Sequence, residues 1–161
     1  MHGYENGYEN GYENGYEKIE STWLPFHTQN GTISMNECHL LHALYNGDRD
    51  RIERLLQQGE DVNQVNDRGE SALLYASAKG YDWVVESLLK AGADVAQVDI
   101  LGATALLHAS INGHTHLVKM LLENGADIHH TDARGWTALQ YASLYKHKDI
   151  MIMLLQRASK G

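Results

Sequence analysis

Ten histidines and one cysteine are the residues of this 161-residue chain that could do chemistry. His114-x-His116 and His129-His130 are the closest histidine pairs. Neither has the spacing of a zinc site, which places two ligands on one helix face or in a Cys-x-x-Cys loop. Cys38 and His39 are adjacent, whereas a nucleophile and its base are usually distant in sequence and meet only in the fold. Asp94, Asp99, Asp127 and Asp132 are acidic, but they recur at regular positions and form no isolated carboxylate pair suited to acid–base work. No glycine loop has phosphate-cradling spacing. These residues give no catalytic site, no metal site and no cofactor, and they point away from an enzyme.

Charge narrows the function further. The formal charge is −8, and five glutamates against one lysine in residues 1–20 carry half of it. No window is rich in Lys or Arg, so the electrostatic footprint of a nucleic-acid binder is missing. A single cysteine suits a reducing compartment. The N-terminus has neither the basic nor the apolar stretch of a secretory signal, and no apolar run approaches the ~20 residues of a membrane span. The expected setting is cytoplasmic, with the nucleus or export into a host cell left open, and the expected state is a monomer.

The elements that position these residues follow from periodicity. Residues 3–17 repeat Gly-Tyr-Glu-Asn with a period of four. Glycine and asparagine in every repeat disfavour a helix, so residues 1–20 are expected to be a disordered tail. Residues 21–34 contain Trp23, Phe26 and the only proline, Pro25. With Asn30-Gly31 as a turn, they form a lead-in segment and a possible short hairpin that docks those rings onto the chain beyond residue 34.

From residue 35 the chain aligns with itself at 33 residues. Gly69, Gly102 and Gly135 coincide, as do Leu40, Leu73, Leu106 and Leu139, and Ala43, Ala76, Ala109 and Ala142. Leucine pairs recur at 55–56, 88–89, 121–122 and 154–155. Ser71, Thr104 and Thr137 are spaced as helix N-caps, Gly80 and Gly113 as stops of a short first helix, and Gly92 and Gly125 as stops of a second. Val84-Val85-Leu88-Leu89 and Leu117-Val118-Leu121-Leu122 make apolar stripes that one repeat cannot bury alone. Residues 99–131 read DILGATALLHASINGHTHLVKMLLENGADIHHT.

That period and motif resemble the ankyrin repeat family. The resemblance implies an all-α solenoid of four helix-turn-helix repeats with β-turn fingers, at about 35–65, 66–98, 99–131 and 132–161, in a domain spanning 35–161. Both ends look like caps. Ser34-Met35-Asn36-Glu37 has capping-box spacing, and the last repeat carries Lys146 and Ala158 where glycines stood. The family's Thr-Pro-Leu-His becomes Ser-Ala-Leu-Leu at 71–74, Thr-Ala-Leu-Leu at 104–107 and Thr-Ala-Leu-Gln at 137–140. In the family that imidazole helps tie adjacent turns, so looser fingers are expected here.

The resemblance also implies a non-catalytic adaptor or scaffold that binds another protein on a concave face of finger tips and first helices. The positions carried over are Arg68, Lys79, Ile100, Leu101, Ile111, Asn112, Arg134, Trp136, Leu144 and Tyr145. Repeats three and four set apolar and aromatic residues there, the composition of a binding hot spot. A second reading makes the tail active. Tyr4, Tyr8, Tyr12 and Tyr16 have acidic neighbours and three are followed by Glu-Asn, resembling sites that are phosphorylated and then dock signalling proteins.

Overall fold

The computed structural model describes residues 38–161, and those residues form one compact unit. The expected tail, the lead-in hairpin and the Ser34–Glu37 capping box lie outside the described residues. Eight helices in four pairs make up the described chain: α1 (His39–Tyr45) with α2 (Arg49–Gln57), α3 (Ala72–Lys79) with α4 (Asp82–Lys90), α5 (Ala105–Ile111) with α6 (Thr115–Glu123), and α7 (Ala138–Leu144) with α8 (Lys148–Lys160).

Local sequence sets where these helices begin. The side chains of Ser71, Thr104 and Thr137 accept the amides of Leu74, Leu107 and Gln140, satisfying donors that have no partner within a first turn. Thr137 adds a full capping box, since Gln140 returns a bond to its amide. Cys38 caps α1 by position only and is buried.

Each first helix packs on the first helix of the next pair, α1 on α3, α3 on α5 and α5 on α7, and also on its own partner. Ala43, Ala76, Ala109 and Ala142 are fully buried in this seam, where a methyl group lets helices approach closely. The second helices contribute Val84, Val85 and Leu88, then Leu117, Val118, Leu121 and Leu122. Arg49 of α2 lies 4.6 Å over the Trp83 ring of α4, a further contact between the first two pairs.

Between pairs, the backbone turns back as a finger. Asn66, Asp99 and Asp132 amides donate to the carbonyls of Glu70, Ala103 and Trp136, closing three short loops. The last repeat differs in its second helix: α8 runs to Lys160 with Ala158 inside it. Lys146 follows α7 with φ 61°, the only non-glycine residue of positive φ among those described. It stands where Gly80 and Gly113 have φ 78° and 74°.

Candidate functional site

Fingers and first helices are joined by a repeated acid tie. The Asp99 Oδ1 accepts the Leu101 and Ala103 amides at 2.9 and 3.0 Å, and its Oδ2 accepts the His108 Nε2–H at 2.8 Å. One period later, the Asp132 Oδ1 accepts the Arg134 and Trp136 amides at 2.9 and 3.0 Å, and its Oδ2 accepts the Tyr141 hydroxyl. Burial would push the Asp99 carboxyl up, but the His108 bond and charge and the two amides outweigh it and hold the group below the usual carboxylate range. The second finger uses Asn66, whose Oδ1 accepts the Arg68 and Glu70 amides.

Adjacent fingers are also bonded tip to tip. The Ile100 amide donates to the Arg68 carbonyl at 3.0 Å, and the Ala133 amide to the Leu101 carbonyl at 2.9 Å. His130 Nε2–H reaches the Gly102 carbonyl at 2.8 Å. Lower down, Asn63 grips the following turn through the Gly92 carbonyl and the Asp94 amide. Leu74 and Leu107 do sit buried where the family's imidazole is missing. The fingers are tied instead by these backbone and side-chain bonds.

Two histidines act as clips between repeats. His114 Nε2–H donates to the Ala78 carbonyl, and His147 Nε2–H to the Ile111 carbonyl, each at 3.0 Å. Each ring lies against a glycine: a Cβ on Gly80 or Gly113 would come within 2.7 Å of the imidazole. His116 and His129 are exposed. His39 turns to Glu60, 2.8 Å away, while burial pushes the adjacent Cys38 thiol up. Among the described residues no three His, Cys, Asp or Glu side chains gather as a metal site would require.

The positions carried over for partner binding fall in different environments. Ile100 is 61% exposed at a finger tip, and Leu144 is 45% exposed at the end of α7. Arg134 is exposed; Arg68, Leu101, Asn112, Trp136 and Tyr145 are half-buried. The Trp136 ring packs 5.2 Å from Tyr141, and Tyr145 lies 6.3 Å from His147. Asn112 donates to the His108 carbonyl. Lys79 Nζ lies 5.1 Å over the Tyr75 ring, and burial lowers its ammonium to about 7.

Ile111 corrects the sequence analysis: it is 1% exposed and belongs to the core. Ala78 in the same column of the repeat is buried too. That column packs between repeats, and Leu144 is open because no further repeat stacks on it among the described residues. Tyr4, Tyr8, Tyr12 and Tyr16 lie outside the described residues.

Sequence reasoning missed the acid ties, although the 33-residue register shows them. Asn66, Asp99 and Asp132 share one column, and Tyr75, His108 and Tyr141 share another nine residues on. A column that alternates between imidazole and phenol opposite a column of Asn, Asp and Asp is the legible signal.

This geometry agrees with a comparison of the whole sequence against protein families. The family model of ankyrin repeats, in three copies, matches residues 23–99 and 92–161. The chain belongs to the ankyrin repeat family. No curated protein matches it. Ankyrin repeats are in general protein–protein interaction modules and typically carry no enzymatic activity. No helix of this ankyrin repeat protein, among the described residues, is long and apolar enough to cross a membrane.

Proposed function

We propose that this protein is an adaptor that captures one partner protein on the concave side formed by its finger tips and first helices, centred on the third and fourth repeats. The observation that carries the reading is Ile100. Its side chain is 61% exposed, yet its own amide is fixed to the Arg68 carbonyl and its neighbours are held by Asp99. A large apolar group presented on a braced turn loses little freedom when a partner covers it. Leu101, Trp136, Leu144 and Tyr145 supply apolar and aromatic surface, Arg134 a cation, and Arg68, Lys79 and Asn112 a polar border. Trp, Tyr and Arg are the residue types enriched at binding hot spots.

The test is quantitative capture from cytosol by the full chain, read by mass spectrometry. It compares wild type, Ile100→Asp/Leu144→Asp, Leu101→Ala/Trp136→Ala and a version lacking residues 1–20. A partner retained by wild type and lost from both double variants, with their helix content intact by circular dichroism, supports the reading. A partner lost only with residues 1–20 transfers function to the tyrosine-containing tail. Capture unaffected by either double variant refutes the concave site.

A further inference from the structure

The second finger differs from the next two in where its acid sits. In the third and fourth fingers the carboxylate begins the turn and takes two backbone amides plus a side-chain donor. In the second finger a neutral amide, Asn66, does that work. The acid has moved four residues on, to Glu70, where the other fingers have Ala103 and Trp136. Glu70 is 5% exposed. Its Oε2 accepts the Tyr45 hydroxyl at 2.8 Å and the Asn66 amide at 3.3 Å, and Asn66 also donates to the Tyr45 oxygen at 3.3 Å. Tyr45 is the last residue of α1, so this triangle fastens the first helix pair to the second finger. Among the described residues, no cation lies within ion-pair distance of Glu70 and no backbone amide donates to its carboxyl.

We propose that Glu70 is a proton switch on the joint between the first and second repeats: protonated, it seats Tyr45 and α1 on the second finger, and ionised, it loosens that joint. The surroundings favour the neutral form. Burial is the largest influence, and the Asp99 carboxylate of the next finger, itself bonded to His108 of α5, adds repulsion. The Tyr45 and Asn66 bonds and the Arg68 charge act the other way and are outweighed. From α3, Tyr75 packs edge-on against Tyr45 at 4.8 Å, and Lys79 Nζ lies 5.1 Å over the Tyr75 ring. Cys38, before α1, is a thiol held neutral by burial. The carboxyl is pushed up to about 8 from an ordinary value of 4.5.

The sign follows from proton counting. Between those two values the unfolded chain has released a proton that the folded chain keeps, so folding takes up a proton. The stability contributed by neutral Glu70 is complete below about 4.5 and is lost as pH rises through about 8.

The test uses the full chain, labelled with carboxyl-carbon-13 glutamate and followed by NMR from pH 4 to 9.5, with Glu70→Gln identifying the resonance. Glu70 is expected to titrate near pH 8, well above the ordinary value of 4.5. Above that midpoint, hydrogen exchange in α1, corrected for its intrinsic pH dependence, should accelerate at least tenfold relative to α5. Glu70→Gln keeps the hydrogen-bonding shape without the charge, so its α1 protection should be independent of pH. Tyr45→Phe removes a donor that favours the anion, so it should move the midpoint upward. Titration of Glu70 near 4.5, a Tyr45→Phe midpoint that stays or falls, or equal loss of α1 protection in Glu70→Gln overturns the proposal. Should Glu70→Gln fail to fold, Glu70→Asp assigns the resonance and the wild-type titration decides.

Discussion

At the scale of single residues, the column Gly80, Gly113 and Lys146 shows one position meeting two demands. Its left-handed backbone costs an L side chain about 1–2 kcal/mol. At Gly80 and Gly113 the space for a Cβ is also taken by the clipping imidazole of the next repeat. Lys146 adopts the same left-handed backbone with a full side chain in place. Gly113→Ala is therefore expected to destabilise by about 2 kcal/mol, through backbone strain and displacement of His147. Lys146→Gly meets only the backbone demand and should stabilise by up to about 1 kcal/mol. Urea unfolding of both variants checks the contrast; equal effects in the same direction would rule it out. The sequence showed the glycine column as helix stops. It did not show the imidazole pressed against each one, because a clip and its target are 36 residues apart and in different columns.

At the scale of elements, helix starts and stops were legible because they are local. A hydroxyl at 71, 104 and 137 reaches an amide three residues on, whatever the rest of the chain does. The candidate site was legible only in part. Ile100 stayed exposed as expected, since a finger tip has few neighbours to cover it. Ile111 was misplaced because the end of a first helix faces the next repeat, and a repeat pattern alone does not separate that packing face from the solvent face. The ties between finger and helix carry a pH dependence of their own. Asp99 is held below its ordinary range by His108 and two amides. Its contribution is present above about 3.8 and is lost as pH falls through the lower folded value. Asp99→Ala should cost about 2–3 kcal/mol at neutral pH, with the loss shrinking in acid. Thermal melts of the variant and wild type from pH 2.5 to 7 measure this. A penalty that stays constant across that range would show that the carboxylate's charge is irrelevant to the finger.

At the scale of the whole folded unit, no helix pair owns a complete core. Leu106 of α5 is fully buried, packed between neighbouring pairs, and the same leucine column supplies Leu40 and Leu73. Its fourth member, Leu139, is half-buried because nothing stacks beyond it among the described residues. Leu106→Ala removes packing at the centre of the array and should cost about 3 kcal/mol. If the four pairs unfold together, the urea midpoint falls while the slope is unchanged. A second transition would mean that the two halves unfold separately, as weak coupling between neighbours allows. The 33-residue period makes this architecture readable in the sequence, since a stripe that recurs without a local partner must be buried by its neighbours.

Five of the bonds between repeats also share a direction. His114 closes on Ala78, His147 on Ile111, Ile100 on Arg68, Ala133 on Leu101, and Arg157 on Leu122. In each of the five a later residue supplies the donor and an earlier one the waiting carbonyl, while the Tyr45 hydroxyl donating to Glu70 and the Asn63 side chain donating to the Gly92 carbonyl run the other way. A bond of either direction closes only after its later residue has been made, so during synthesis the ties of His114 and His147 should form once the chain has grown 36 residues past their targets. Assembly should advance like a ratchet from the N-terminal end, one repeat behind synthesis, with every newly made segment completing the one before it.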